Sequence, residues 1–157
     1  MKLEFHGPDE RYTVEQSLLN LFPGELPVYE PIAPGDESWA VISCREEEGR
    51  LLVTVDLRHH GEAAAAVHAA ALSGTDYERE GQRRHAVGSC FFQAYRALTG
   101  NTPPWGMLTG VRPDKLVTEA LTAGETPGAA RELLEKIYYV TPRRAALALE
   151  TGTAAFE

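Results

Sequence analysis

Apolar and polar side chains are spaced differently in the two halves of the chain. In the first half they alternate in short runs at residues 2–5, 39–44 and 51–57, and this period of two predicts β-strands with one buried face. The last two runs flank a charged turn that ends at Gly49, which predicts a β-hairpin. Between the first two runs, apolar residues at three- and four-residue spacing predict a helix at about residues 13–22.

Residues 62–72 (EAAAAVHAAAL) fit two secondary structures. Alanine favours a helix by its intrinsic propensity, but a segment this short makes only a marginal one. The residues directly before it, His59, His60 and Gly61, are typical of a second hairpin turn. The sequence therefore favours a third hairpin strand here, with a helix as the alternative.

From Asp76 onward the apolar spacing becomes helical. A long helix is predicted from there to about Leu98, with Gly100 closing it. Three further helices are predicted, each with a proline near its start, where the missing N–H costs nothing. These prolines are Pro113, Pro127 and Pro142. The positions expected to be buried in the last two helices are Leu133, Leu134, Ile137, Ala146, Leu147 and Leu149.

Together these elements predict an α+β fold. Residues 1–75 should form a small antiparallel sheet with one helix, and residues 76–157 should be helical. Alternating strands need one face covered, and the predicted helices offer matching apolar stripes. We therefore expect the sheet to pack on helices and an all-helical portion to follow it.

Composition and charge narrow the class of protein. With 43% hydrophobic and 24% charged residues the chain is typical of a globular domain. It has no apolar run long enough to span a membrane and no signal sequence at its start, so we expect a cytoplasmic protein. A formal net charge of −8 and scattered basic residues disfavour a nucleic-acid partner.

Few residues offer catalytic or metal-binding chemistry. The chain has two cysteines, Cys44 and Cys90, too few and too far apart for a zinc or iron–sulfur site. His59 and His60 adjoin a glycine and indicate a turn. A metal site there would need further ligands, and no HExxH spacing is present. The sequence therefore predicts no catalytic, cofactor or metal residue in this chain.

Residues 103–115 (PPWGMLTGVRPDK) are the richest in special residue types. The glycines permit backbone conformations with positive φ. An arginine directly before a helix start is apt for binding an anion such as a carboxylate. The structural alternative is that the tryptophan fills a core and the arginine pairs with an acidic neighbour. The candidate contact residues are Trp105, Gly106, Thr109, Gly110, Arg112 and Lys115.

The same stretch carries a family resemblance. The pattern Trp-Gly-x-Leu-Thr-Gly-x-Arg-Pro-x-Lys at residues 105–115, preceded by a helix that ends at Leu98-Thr99-Gly100, resembles the HemZ-type coproporphyrinogen dehydrogenases. These are relatives of the oxygen-independent coproporphyrinogen III oxidases in the radical SAM superfamily. Outside this motif, over most of residues 1–100, the resemblance is one of layout only.

The resemblance implies a parent enzyme of porphyrin biosynthesis with S-adenosylmethionine and a [4Fe–4S] cluster, held by a CxxxCxxC motif. This chain has no such motif, so no cluster ligand or cofactor residue is carried over. We expect residues 1–157 to be a non-catalytic N-terminal accessory domain that ends before the catalytic barrel. It would pack on that barrel, in the same polypeptide, and help to cover the porphyrinogen substrate.

Two alternatives remain open at this point. The helices of residues 113–155 could form a nucleic-acid-binding or protein-interaction module, although the net charge counts against nucleic acid. The resemblance also includes relatives that carry heme instead of oxidising a porphyrinogen. An accessory domain alone does not separate an oxidase from a heme carrier.

Overall fold

The computed structural model describes residues 1–108 and 111–156. The chain forms two compact units, Met1–Asn101 and Thr102–Glu157. The first unit holds a four-stranded sheet and two helices, and the second unit holds helices. The α+β class predicted from the sequence is confirmed.

The sheet of the first unit has its strands side by side in sequence order: β1 (Lys2–His6), β2 (Ser38–Glu47), β3 (Arg50–His59) and β4 (Glu62–Ala71). β2, β3 and β4 are antiparallel neighbours joined by tight turns. The ambiguous alanine-rich segment is thus the third hairpin strand, as the sequence favoured.

The first strand departs from the predicted antiparallel sheet. β1 pairs with β2 in parallel, with Lys2 opposite Trp39 and His6 opposite Ser43. The reason is the connection between them, which contains helix α1 (Arg11–Leu21). A helical crossover returns the chain to the end of the sheet where it started, so the next strand runs in the same direction. The sheet is therefore mixed.

Helix α2 (Asp76–Thr99) packs on β3 and β4, and α1 packs against α2. It begins with a capping box, in which the side chains of Thr75 and Glu78 each bond the other residue's backbone N–H. It ends at Gly100, whose φ of 71° is the left-handed conformation of a helix C-terminus. The core beneath these helices is built mainly from alternate strand residues and α2 aromatics: Ile42, Leu51, Val53, Val55, Leu57, Phe91 and Phe92.

The second unit contains helices α3 (Pro113–Thr122), α4 (Pro127–Glu132) and α5 (Pro142–Phe156). The side chain of Thr126 caps α4 by accepting a hydrogen bond from the N–H of Ala129. The buried core of the unit consists of Val117, Ala130, Leu134, Val140, Ala145 and Ala148. No helix in the described part of the chain is long and apolar enough to cross a membrane.

Two of the buried stripes predicted for these helices are only partly right: Leu134 is buried and Leu149 packs against the core, but other predicted positions are exposed. After α4 the chain forms a π-helical turn, Leu133–Ile137, and the extra residue of that turn rotates Ile137 outward, so that it is 44% exposed. In α5 the buried positions are Ala145, Ala148 and Gly152, whereas Ala146 and Leu147 are exposed. Helix α5 packs closely on α3 and has no room for a larger residue at Gly152, because a Cβ there would lie 2.6 Å from the Cβ of Val117.

Candidate functional site

The described part of the predicted motif begins with a tight turn, residues 103–108, which we call the Trp105 turn. The N–H of Gly106 donates to the carbonyl of Pro103 at 2.9 Å, and the N–H of Leu108 donates to the carbonyl of Trp105 at 3.2 Å. Two of the predicted contact residues, Thr109 and Gly110, lie outside the described residues.

The Trp105 turn is bonded to the segment that leads into α5. The N–H of Met107 donates to the carbonyl of Tyr138 at 2.9 Å. The carbonyl of Pro104 accepts two hydrogen bonds from Thr141, one from its N–H and one from its hydroxyl, both at 3.0 Å. These three bonds hold the turn in a fixed position within the second unit.

Gly106 is the residue at which this attachment needs glycine. It is buried and has a φ of +60°, a region that L side chains rarely adopt. A Cβ at this position would collide with the backbone of Tyr138 and Tyr139. Tyr139 itself has a φ of +58°, so both sides of the contact use a left-handed backbone. The glycine of the motif thus has a structural explanation.

Trp105 is half-buried, whereas the structural alternative has it filling a core. One part of its side chain packs against the core of the second unit. The guanidinium of Arg144, from α5, lies over the indole at 5.6 Å from the ring centroid, an arrangement that favours a cation–π interaction. Trp105 therefore contributes to the helical core and keeps part of its ring at the surface.

Arg112 and Lys115 lie on the solvent side of the start of α3. The Arg112 side chain is 78% exposed, and its Nε is 3.7 Å from a carboxylate oxygen of Asp114. Lys115 is also exposed and lies 3.9 Å from Glu119. Exposed ion pairs of this length contribute little to stability. Both cations are therefore available to a partner, with an acidic neighbour beside each.

The start of α3 offers an anion fewer backbone donors than a typical helix N-terminus. Pro113 has no N–H, and the N–H of Lys115 donates to the carbonyl of Arg112 at 3.1 Å. The Asp114 carboxylate already lies in the first turn, where it interacts favourably with the helix dipole. The guanidinium of Arg112 is the group best placed to meet an external carboxylate, and the anion site stays a prediction.

The motif residues thus separate into two groups. Trp105 and Gly106 hold the turn to the helical core, while Arg112 and Lys115 face solvent. Sequence reasoning missed the segment that receives the turn, Tyr138 to Thr141. Its signal was the pair of tyrosines one residue before the Thr-Pro helix start, of which only the helix start was predicted.

The cysteines do not fit the cluster that the family resemblance implies. Cys90 is buried, and its thiol lies within hydrogen-bonding distance of the carbonyls of Val53 and Ala66. Burial raises the pKa of Cys44 to about 11 and that of Cys90 to about 12, so both remain neutral thiols at physiological pH. The CxxxCxxC cluster that the resemblance implies needs three closely spaced cysteine thiolates, and the chain has only two cysteines, far apart in the sequence.

Anaerobic incubation of this chain with iron and sulfide is therefore expected to yield no bound cluster. The measurement is the iron and sulfide content and the visible absorbance after desalting. A variant with both Cys44→Ser and Cys90→Ser is the control and should behave like the unsubstituted chain. Stoichiometric iron and a brown colour that the double variant loses would contradict this expectation.

Comparison with known proteins gives one informative relationship. No model of a known protein family matches the chain, and no solved structure matches it significantly. The chain is similar to a protein of Bacillus subtilis (strain 168) described as "Oxygen-independent coproporphyrinogen-III oxidase-like protein HemZ", with 30% identity over 144 residues. The match covers 89% of this chain but only 28% of that protein. The chain thus spans little more than a quarter of its relative and corresponds to one part of it.

Proposed function

We propose that this chain is the N-terminal accessory domain of a cytoplasmic, coproporphyrinogen III oxidase-like radical SAM protein of porphyrin biosynthesis. The observation that carries the proposal is the coverage of the match, which takes in 89% of this chain but 28% of the HemZ relative. The motif at residues 105–115 supports the same assignment. The catalytic barrel, with its cluster and S-adenosylmethionine, would belong to the remainder of the parent polypeptide.

The domain would act as a contact surface and not as a catalyst. The chain has no CxxxCxxC motif, and burial raises the pKa of both of its thiols, which disfavours the thiolate form. Its motif offers an exposed guanidinium, that of Arg112, at the start of helix α3. A charged group on a rigid support can meet a carboxylate with little loss of conformational entropy. That carboxylate would come from the barrel or from a propionate of the porphyrinogen.

An apolar groove in the second unit supports packing against another part of the parent. Its apolar lining includes Ala120, Leu133 and Ile137, and the charged side chains of Glu132 and Lys136 flank it. Ile137 is exposed because of the π-helical turn. Contact with water is unfavourable for so large an apolar side chain, so covering it would be favourable. Apolar patches with polar rims are typical of surfaces that another protein segment covers.

Arg112→Ala tests the contact role. In the full-length protein it is expected to slow coproporphyrinogen oxidation by roughly tenfold, the effect of losing one charge-assisted hydrogen bond. In the isolated chain it should change the melting temperature by no more than about a degree or two, because an exposed ion pair adds little stability. Turnover is measured by porphyrin fluorescence after oxidation of the product, and melting by circular dichroism.

Arg143→Ala is the matched control, since Arg143 is an exposed arginine of the same unit outside the motif. It should leave both turnover and melting temperature unchanged. If Arg112→Ala behaves like this control, Arg112 has no contact role. If the full-length wild-type protein shows neither cleavage of S-adenosylmethionine nor loss of coproporphyrinogen, the proposed parent activity is wrong.

A further inference from the structure

The turn between β3 and β4 brings two histidine rings together. In an extended strand, neighbouring side chains point to opposite faces. His59 is the last residue of β3, but His60 follows it in the left-handed conformation, with a φ of 49°. This change of backbone brings the second ring next to the first, with the two centroids 4.0 Å apart.

Glu25, from the loop after α1, adds a carboxylate to the pair. Its Oε1 lies 3.1 Å from Nε2 of His59. The carboxylate is oriented by two further contacts: the hydroxyl of Ser38 donates to Oε1 at 2.9 Å, and the amine of Met1 donates to Oε2 at 2.6 Å. One donor atom of each of Glu25, His59 and His60 lies within 4.8 Å of the others.

We propose that the first unit binds a divalent transition-metal ion of the zinc type through Glu25, His59 and His60. Zinc binds imidazole nitrogen and carboxylate oxygen at roughly 2.0–2.2 Å, which places tetrahedral ligand atoms about 3.3–3.6 Å apart. The 3.1 Å between Nε2 of His59 and Oε1 of Glu25 is slightly shorter than this separation, so a small movement of the two side chains would admit the ion. Three protein ligands leave a fourth position for water.

The residues around Glu25, His59 and His60 leave space for an ion and hold the ligands in position. A pocket adjoins the three ligands, and its remaining walls are Leu21, Phe22, Pro23 and Gly24. The Phe22 ring lies 4.7 Å from the His59 ring and limits its rotation. The Ser38 hydroxyl and the Met1 amine orient the carboxylate by bonding Oε1 and Oε2, respectively, as residues around metal ligands commonly do.

The alternative role of the cluster is to join the N-terminus, β2 and β3 through Glu25. That role needs the hydrogen bonds of Glu25 but not His60, whose ring makes no hydrogen bond within the described part of the chain. The position of His60 against His59 is explained if both rings share an ion. His60 is therefore the residue that separates the two roles.

The test is a calorimetric titration of the chain, Met1–Glu157, with Zn²⁺ in a buffer that does not bind metals. Any affinity tag is placed at the C-terminus and removed, because an N-terminal extension would alter the Met1 amine. We expect one ion per chain. His60→Ala and Glu25→Gln should each weaken binding by about tenfold or more. Co²⁺ in place of zinc should give the visible spectrum of a low-coordinate site with nitrogen and oxygen ligands.

His6→Ala is the matched control, because His6 also lies beside a carboxylate, 2.9 Å from Glu4, but has no third ligand in the described part of the chain. It should bind zinc as the wild type does. His60→Ala should leave the melting temperature of the metal-free protein unchanged. Its effect on zinc affinity can therefore be measured on a folded protein, even if Glu25→Gln destabilises the fold. The proposal is overturned if the wild type binds no ion, or if His60→Ala binds as tightly as His6→Ala.

Discussion

Replacing Gly106 with alanine is expected to destabilise the second unit by about 2–5 kcal/mol. Two effects add. The backbone of Gly106 has a φ of +60°, which a side chain makes unfavourable. The new methyl group would also occupy the space of the Tyr138 and Tyr139 backbone, so the Trp105 turn and the segment before α5 must separate. Backbone atoms cannot rotate away as a flexible side chain can.

Gly124→Ala separates these two effects. Gly124 belongs to the same unit and has a φ of +88°, but a Cβ there would meet nothing within 4 Å. Its substitution should therefore cost only the conformational strain, about 1 kcal/mol. Urea unfolding followed by Trp105 fluorescence measures both variants, in a Trp39→Phe background because the chain has two tryptophans. Equal losses for the two variants would show that the contact of Gly106 is not tight.

The close contact at Gly106 changes the interpretation of the motif at residues 103–115. A glycine in a loop beside an arginine suggests an approach of the backbone to a bound anion. At Gly106 the close approach is instead to the protein's own backbone at Tyr138. The motif is thus partly a structural joint, and its exposed residue Arg112 is the part left for a partner.

The strands could be predicted from the sequence because burial on one face leaves a period of two. In β4 the sequence shows no such alternation, and the turn before it was the signal for a strand. In the structure, residues of Glu62–Ala71 nevertheless alternate between exposed and partly buried. The direction of β1 could not be predicted in this way, since periodicity says which face is buried but not which way a strand runs. The crossover through α1 decided it.

The candidate sites depended on contacts between distant parts of the chain, which periodicity does not encode. Gly106 was identified as special, but the Tyr138 backbone that it contacts was not. The turn was correctly predicted at His60, with His59 ending the strand before it. Glu25, which lies 34 residues before His59, was not associated with either histidine. Local turn chemistry was thus predictable, and the partners of each turn required the fold.

The π-helical turn Leu133–Ile137 departs from the regular helix that the sequence pattern predicts. By spacing alone, Leu134 and Ile137 belong to one buried stripe, three residues apart on a regular helix. In the structure Leu134 is fully buried in the helical core, whereas Ile137 is 44% exposed. Replacing Leu134 or Ile137 with alanine removes a similar side chain from the same turn. The difference between the two losses in free energy of unfolding therefore measures the effect of burial.

Leu134→Ala is expected to lower the free energy of unfolding of the second unit by about 2–5 kcal/mol, because the surrounding core cannot close the cavity. Ile137→Ala should cost less than about 1 kcal/mol, as expected for a side chain that water already reaches. Urea unfolding with Trp105 fluorescence in the Trp39→Phe background gives both values. Similar large losses for the two variants would mean that the helix is regular and the π-helical turn is wrong. The apolar groove that contains Ile137 would then be part of the core and not a surface for the parent protein.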